Sequence, residues 1–241
     1  MRLPRILFPV LILAFLTAPL CLADTIDQGY SGPPLPNSFL GVTFPGGLAQ
    51  TFTAGLNGTL AGVNLDITVT NSSAQVLITT VVPNPPNSLF GQPSSTVLGS
   101  TTLSTGTYTL SQLITFPQVI ASLAGTTYAI VLLPAFTPAP GGNFGSVSWV
   151  YGGANGGGPL PFNNFTGGQA MIGSSSCAGV DINGNPINCQ PPQWFVVTVG
   201  VPSAFRFQTH VNTAPAVPEP STLLLLGTGV AALLARRRRL S

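Results

Sequence analysis

Hydrophobic and polar residues alternate through Leu60–Thr70, and this pattern constrains the fold more than any other segment does. Side chains that alternate with a period of two lie on opposite faces of a β-strand. The apolar set is Val63, Leu65, Ile67 and Val69, and the polar set is Asn64, Asp66, Thr68 and Thr70. We therefore predict a strand with one buried and one exposed face.

Further segments combine β-branched or aromatic residues with flanking Gly, Pro and Asn, and we predict each to be a strand. They are Phe39–Phe44, Gln50–Thr53, Val76–Val82, Thr96–Leu103, Thr107–Phe116, Thr127–Leu133, Val147–Tyr151, Phe195–Val201 and Phe205–Val211. Outside the two ends of the chain, no segment has a helical period of 3.6. About ten short strands separated by turns predict an all-β fold, a single antiparallel β-sandwich of jelly-roll type.

The C-terminal tail has three parts in order: a Pro-Glu-Pro tripeptide, an apolar run over Leu223–Ala235 and four consecutive arginines. The two prolines disfavour a regular helix at the tripeptide. A helix of the 13 residues in the run spans only about 20 Å, less than the roughly 30 Å of a hydrocarbon core. We predict a short transmembrane helix whose arginines snorkel to the interface and remain in the cytoplasm.

This tail resembles the PEP-CTERM sorting signal of Gram-negative bacteria, through Val217–Ser221, the apolar run and the arginine cluster, about a tenth of the chain. The resemblance implies that exosortase, a membrane-embedded cysteine transpeptidase, recognises the tail and removes the span. The body is then released or re-anchored at the cell surface. A permanent tail anchor is the alternative. The resemblance implies that Pro218, Glu219 and Pro220 are substrate residues of exosortase, and the sorting motif also includes Arg236, Arg237, Arg238 and Arg239.

The N-terminal segment, residues 1–23, is predicted to be a secretory signal peptide with a helical core. Arg2 and Arg5 precede an apolar stretch over Ile6–Leu16, and small residues precede Asp24. An uncleaved anchor and a lipoprotein attached through Cys21 are the alternatives. The predicted organisation is a signal peptide at 1–23, a β-sandwich domain at 24–212, a linker at 213–217 and the sorting signal at 218–241.

The body between these ends is nearly uncharged. Charged residues make up 5% of the chain, and six of the seven arginines lie in the two targeting ends. Four aspartates and Arg206 leave the body with a net charge of −3 when His210 is neutral. Such a body lacks the basic patch that nucleic acid requires, so we exclude nucleic acid as a partner.

Cleavage of the signal peptide would remove Cys21 and leave Cys177 and Cys189 in an oxidising compartment. We predict that these two form a disulfide. Their spacing excludes a CxxC redox motif, and the body has too few Cys and His residues for a zinc site. Residues 181–185 resemble the start of a calcium loop, but Pro192 stands where the bidentate acid is expected, so a hairpin turn at Asn183-Gly184 is the simpler interpretation. No metal and no cofactor is predicted.

Catalysis has little support, because the body contains one histidine, no glutamate and no lysine. No Gly-x-Ser-x-Gly, HExxH or P-loop sequence is present. His210 is predicted to be a solvated surface residue. We predict that the protein is not an enzyme. A secreted hydrolase acting on polysaccharide through Asp66, Asp181 or His210 is the alternative.

A second resemblance, to extracellular β-sandwich modules of bacterial surface and exported proteins, is carried by Ala49–Gly55, Gly58–Leu60, Val97–Ser100, Ala124–Leu132 and Phe205–Thr209. These modules are distantly similar to carbohydrate-binding jelly rolls. The resemblance implies the fold. The nearest match to the aromatic loop of such modules is Trp149–Gly153.

Sugar binding requires flat apolar faces beside amide or hydroxyl groups. The candidate glycan contacts are Trp149, Tyr151 and Trp194, with Asn155, Asn163, Asn164 and Gln169 as polar neighbours. Burial of the two tryptophans in the core or at a sheet edge is the alternative. We predict an exported, exosortase-processed, non-enzymatic surface or matrix protein that associates with exopolysaccharide.

Overall fold

The computed structural model describes residues 23–31, 34–83, 90–137, 143–152, 168–180, 186–197 and 204–213. Residues 24–213 form one compact unit. Of the remaining residues, only Ala23 is described, so the signal peptide, the PEP-CTERM tail and their two predicted helices lie outside the described residues.

The described residues form twenty β-strands and no helix. In chain order they are β1 (Ala23–Tyr30), β2 (Pro34–Thr43), β3 (Gly47–Thr53), β4 (Gly58–Leu65), β5 (Ile67–Thr70), β6 (Ala74–Val82), β7 (Gln92–Leu103), β8 (Gly106–Tyr108), β9 (Leu113–Ile114), β10 (Ala121–Ser122), β11 (Thr127–Pro134), β12 (Phe136–Thr137), β13 (Asn143–Phe144), β14 (Ser146–Gly152), β15 (Ala170–Ser174), β16 (Gly179–Val180), β17 (Pro186–Ile187), β18 (Gln193–Val196), β19 (Ala204–Phe205) and β20 (Phe207–Thr213). The all-β prediction is confirmed for this part of the chain.

The strands form three larger sheets, which we number I to III, and two isolated pairs. Sheet I has the order β1-β20-β4-β10, and β9 also pairs with β4. Sheet II has the order β18-β15-β3-β11-β6-β7. Sheet III has the order β19-β14-β5-β8, and β2 also pairs with β14. The isolated pairs are β12–β13 and β16–β17. The longer strands pair antiparallel, as β11 does with β3 and β6, β14 with β2 and β5, β20 with β4 and β6 with β7. Closure of these sheets into a single jelly-roll sandwich stays a prediction.

Three segments predicted as continuous strands are divided between sheets I and III. Leu60–Thr70 breaks at Asp66 into β4 and β5, and Phe205–Val211 breaks at Arg206 into β19 and β20. Thr107–Phe116 breaks at a turn in which Gln112 N donates to Thr109 O at 3.0 Å, and gives β8 and β9. The single-strand prediction is wrong for all three segments, because their two halves pair with strands of different sheets.

The main hydrophobic core receives side chains from all three sheets. Phe52 comes from sheet II, Phe207 from sheet I and Trp149 from sheet III, and all three are buried. The buried face predicted for Leu60–Thr70 is confirmed, since its four apolar side chains are 0–1% exposed. Asn64, on the face predicted to be exposed, is also buried, and its Nδ2 donates to Leu110 O at 2.6 Å. A second, smaller cluster lies on the other face of sheet II. It contains Ala49, Ala129, Val131 and Met171, with Leu77, Val81, Leu133, Trp194 and Val196 packed at its margin.

Seven strands were not predicted from the sequence, namely β1, β15 and the two-residue strands β10, β12, β13, β16 and β17. β1 begins at Ala23, the last residue of the predicted signal peptide, and pairs with β20. β15 pairs with β3 and β18. The sequences of β1 and β15, ADTIDQGY and AMIGS, are poor in β-branched residues. β20 also includes Thr213, the first residue of the predicted linker.

Candidate functional site

Trp149, the first predicted aromatic contact, lies on β14 with 0% of its surface exposed. Its ring stacks on Phe205 with ring centroids 4.6 Å apart and an interplanar angle of 7°. Its Nε1 donates a hydrogen bond to the backbone oxygen of Arg206 at 2.8 Å. A buried indole with a stacked face and a satisfied N–H is a core residue. Trp149 therefore occupies the core position that the sequence analysis gave as the alternative to glycan contact.

Tyr151 lies two residues further along β14 and is half-buried. It stands opposite Phe205 in the pairing of β14 with β19, and its side chain packs against the main core. The packing of β14 against Phe205 and the main core therefore accounts for the position of Tyr151 as well as for that of Trp149.

Trp194 has a different environment, on β18 at the end of sheet II. Its ring lies over two glycines, since a Cβ at Gly173 would be 2.9 Å from its Cζ3 and a Cβ at Gly47 would be 3.2 Å from its Cη2. The side chain is half-buried at the margin of the second cluster. Trp149 and Trp194 thus belong to different clusters and do not form one platform. Of the two tryptophans predicted to contact glycan, Trp194 is the one that is partly exposed.

The amide groups proposed beside the aromatic residues are not assembled into a surface site. Gln169 is buried, and its Nε2 donates to the backbone oxygen of Gly91 at 3.1 Å. Asn155, Asn163 and Asn164 lie outside the described residues. Gln169 therefore serves packing between the start of β15 and the segment before β7.

Asp66 and Arg206, the single cation of the body, form an ion pair. Only 18% and 16% of their side chains are exposed. Asp66 is thus neutralised by a neighbour rather than free for acid or base chemistry.

His210 lies on the predicted face of β20, but only 14% of its side chain is exposed, so the prediction of a solvated histidine is wrong. Its Nδ1 lies 3.1 Å from Oδ1 of Asp24 on the unpredicted strand β1, which covers this face. Its Nε2 is buried and makes no hydrogen bond with the described residues. A histidine held in this way is a poor candidate for a general base, which must reach a substrate proton.

Asp27, also on β1, accepts hydrogen bonds from the backbone N–H of Gly55 at 3.0 and 3.2 Å. Burial raises the pKa of this carboxyl above its usual value, although the backbone N–H groups of Gly55 and Leu56 act in the opposite direction. The carboxylate ties β1 to the turn between β3 and β4. Asp181, the fourth aspartate of the body, lies outside the described residues.

Cys177 and Cys189 are bonded to each other, as predicted, and are separated by 12 in sequence number. The short strands β16 and β17 pair inside the disulfide loop, with Gly179 opposite Ile187. Gln190 N donates to Ser176 O at 2.9 Å, and Ser175 Oγ donates to Gln190 O at 2.6 Å. The predicted turn, Asn183-Gly184, lies outside the described residues, between the two paired strands.

Within the described part of the chain, no three His, Cys, Asp or Glu side chains are grouped closely enough to hold a metal ion. The same part contains no helix that is long and apolar enough to span a membrane. The residues predicted to sort the protein all belong to the tail outside this part.

Residues 216–239 match a known family, the PEP-CTERM protein-sorting motif. The chain carries a PEP-CTERM sorting motif. The match covers the predicted tripeptide, the apolar run and the arginine cluster, so this resemblance is confirmed. No curated protein matches the chain.

A PEP-CTERM motif indicates an exosortase-targeted surface protein. It implies processing by exosortase and export to the cell envelope or surface of a bacterium. Residues 216–239 are therefore the sorting segment of the chain.

Sequence reasoning missed two features that shape the body. Gln50 is fully buried, and its Oε1 accepts a hydrogen bond from Phe205 N at 2.8 Å, which fixes β19 against sheet II. The ring of Trp194 packs against Gly47 and Gly173, which have no side chains to obstruct it. Glycines at facing positions of two paired strands are a signal for such close approach.

Proposed function

We propose that this is a non-enzymatic surface protein of a Gram-negative bacterium, whose PEP-CTERM tail is removed by exosortase and whose β-sheet body associates with exopolysaccharide. The apolar run of the tail holds the precursor in the membrane, with the arginines in the cytoplasm, until the tail is cleaved. The body is a single jelly-roll-like sandwich preceded by a cleaved signal peptide.

The PEP-CTERM motif at residues 216–239 carries the sorting part of this proposal. A tripeptide, a short span and a basic cluster together distinguish an exosortase substrate from a permanently anchored protein. Permanent anchoring would leave the arginines attached to protein recovered from cells.

The non-enzymatic role is supported by the partners of the acidic side chains. Asp66 is paired with Arg206, Asp24 faces His210, and Asp27 accepts backbone N–H groups of the β3–β4 turn. Each of these carboxylates holds strands together. A hydrolase would instead direct two such groups towards one substrate bond.

Association with a glycan is supported by Trp194, which rests on two glycines and keeps part of its ring exposed. A flat aromatic face suits the C–H face of a pyranose ring. The body is also too poor in cations for an anionic polymer.

The test is equilibrium binding of the mature protein, purified from the producing bacterium, to the exopolysaccharide of that bacterium. Affinity gel electrophoresis should show saturable binding that Trp194→Ala weakens roughly tenfold. Phe195→Ala is the matched control, because Phe195 is 52% exposed on the other face of β18 and should bind like the wild type. No binding by the folded wild type would contradict the association, and release of new reducing ends would contradict the non-enzymatic role.

A further inference from the structure

We propose that the outward face of sheet III binds a neutral polysaccharide chain along its row of hydroxyl groups, and this inference rests on the proposed association with exopolysaccharide. We call this surface the hydroxyl face. Its residues are Thr43 on β2, Ser146 and Ser148 on β14, Thr68 and Thr70 on β5 and Thr107 on β8, with Phe39 on β2 at one end.

The hydroxyl groups form two rows across the strands. In the first row, Ser146 pairs with Thr43 on one side and with Thr70 on the other. In the second row, Ser148 pairs with Thr68, and Thr68 pairs with Thr107. Neighbouring strands are about 4.8 Å apart, and alternate residues along a strand are about 6.7 Å apart. The sheet thus presents a two-dimensional array of hydroxyls.

The opposite face of the same strands fixes the direction of these side chains. Val147 and Trp149 of β14 and Ile67 and Val69 of β5 are all buried in the main core. Alternate residues of a strand point to opposite faces, so the serines and threonines between them point away from the core. Thr43, Thr70 and Thr107 are exposed, and the other three hydroxyl residues are half-buried.

Gly41 keeps the centre of the hydroxyl face open. It pairs with Ser148, and a Cβ at this position would lie 3.2 Å from Ser148 Oγ. Without that side chain, the Ser148 hydroxyl remains accessible from above β2. Phe39 lies two residues away on the same side and is 60% exposed. A flat apolar ring beside accessible hydroxyls matches the C–H face and the hydroxyl rim of a pyranose.

The hydroxyl groups retain hydrogen-bonding capacity. Thr70 Oγ1 contacts Ser146 Oγ, and Thr68 Oγ1 lies 3.4 Å from Thr107 Oγ1. Each hydroxyl has one donor and two acceptor sites, so one contact between neighbours leaves others for a ligand. A polymer with many hydroxyls would bind through several weak contacts at once.

The absence of charged residues from the strands of the hydroxyl face indicates which class of ligand it binds. None of the residues of β2, β5, β8, β14 and β19 is charged, and the adjacent Asp66 and Arg206 neutralise each other. An anionic polysaccharide or a nucleic acid would need cations on this surface. A second protein copy would favour a more apolar patch, since homodimer interfaces are more apolar than this array. The uncharged hydroxyl face is therefore complementary to a neutral glycan.

The test uses the mature protein from the producing bacterium and, as the probe, the neutral fraction of its exopolysaccharide after anion exchange. Thr68→Val with Ser148→Ala should weaken binding roughly tenfold, because two hydroxyls are lost without a change in strand propensity. Gly41→Val should weaken binding to a similar degree by covering the centre of the face. Thr102→Val is the matched control, since Thr102 is an exposed threonine of β7 in sheet II. Melting temperatures should verify that all variants fold.

The outcomes separate this inference from the proposed function. If the wild type binds, Trp194→Ala weakens binding and the hydroxyl-face variants do not, the glycan association is right and the hydroxyl face is not the contact. If the wild type binds neither the neutral nor the acidic fraction, both fail. Binding that is confined to the acidic fraction and falls steeply with salt would also overturn the hydroxyl face as a neutral-glycan site. A roughly tenfold weakening of binding in both hydroxyl-face variants, with the control unchanged, is the predicted result.

Discussion

Asp66 and Arg206 form an ion pair where the pairing of β14 with β5 ends and its pairing with β19 begins. Val150 N donates to Asp66 O at 2.9 Å, and Arg206 N donates to Val150 O at 2.9 Å, so both residues meet the same position of β14. On the other side of this point, Leu65 pairs with Phe207 as β4 and β20 enter sheet I. The ion pair therefore marks the crossing of two strands from one sheet to another.

We expect this pair to contribute to stability, because its two side chains are mostly buried. Arg206→Met or Asp66→Asn alone should lower the free energy of unfolding by about 1–3 kcal/mol, since each leaves the partner charge uncompensated. The double variant should lose less than the sum of the single variants. Urea denaturation of all four proteins measures the coupling, and additive effects would show that the pair makes no net contribution.

Trp149 should be one of the most important residues of the core. Trp149→Ala should lower the free energy of unfolding by about 3–5 kcal/mol, because it removes a fully buried ring and its stacking on Phe205. Trp194→Ala should cost less than half as much, since the side chain is only half-buried. Denaturation followed by far-UV circular dichroism compares the two, and equal losses would contradict the placement of Trp149 in the core.

Asp27 should make the fold less stable as the pH rises above about 4. Its pKa is raised in the folded protein, chiefly by burial, so the folded state binds the proton more tightly than the unfolded state. This effect is absent below the ordinary pKa of 3.8 and complete above the folded pKa. Asp27→Asn keeps an acceptor for Gly55 N and removes the titration. The stability of the variant relative to the wild type should be higher at pH 7 than at pH 3, and an unchanged difference would contradict the raised pKa.

The disulfide should stabilise the part of the chain around β16 and β17. Cys177→Ser with Cys189→Ser should lower the free energy of unfolding by about 2–3 kcal/mol, because the unfolded chain regains the freedom of a short loop. Hydrogen exchange should rise most in residues 175–190, and in sheet I only by the smaller amount that the lower global stability produces. A rise distributed evenly over the three sheets would show that the disulfide supports the whole body instead.

The sequence predicted which faces are buried better than which strands are partners. Val63, Leu65, Ile67 and Val69 are buried as the alternation requires, yet the chain changes sheets between the second and third. Alternation reports the direction of side chains, and the identity of the neighbouring strand depends on hydrogen bonds from distant segments.

The candidate site was predictable only where the signal is local. The PEP-CTERM tail is a linear motif, and it was recognised from its own residues. Trp149 and Trp194 have similar sequence surroundings, but one stacks on Phe205 and the other lies on glycines of two different strands. Strand β1 is stabilised by its pairing with β20 and not by a high strand propensity of its own residues. The covering of His210 by β1 was therefore not predictable from the sequence either.

The central claim is that the tail is an exosortase substrate. The most direct measurement is mass spectrometry of the C-terminus of the protein recovered from a bacterium that has exosortase, for the wild type and for Glu219→Ala. We expect wild-type protein without Arg236–Arg239, and accumulation of the full-length precursor in the variant. Mature wild-type protein that still carries the four arginines, or normal maturation of Glu219→Ala, would contradict the account.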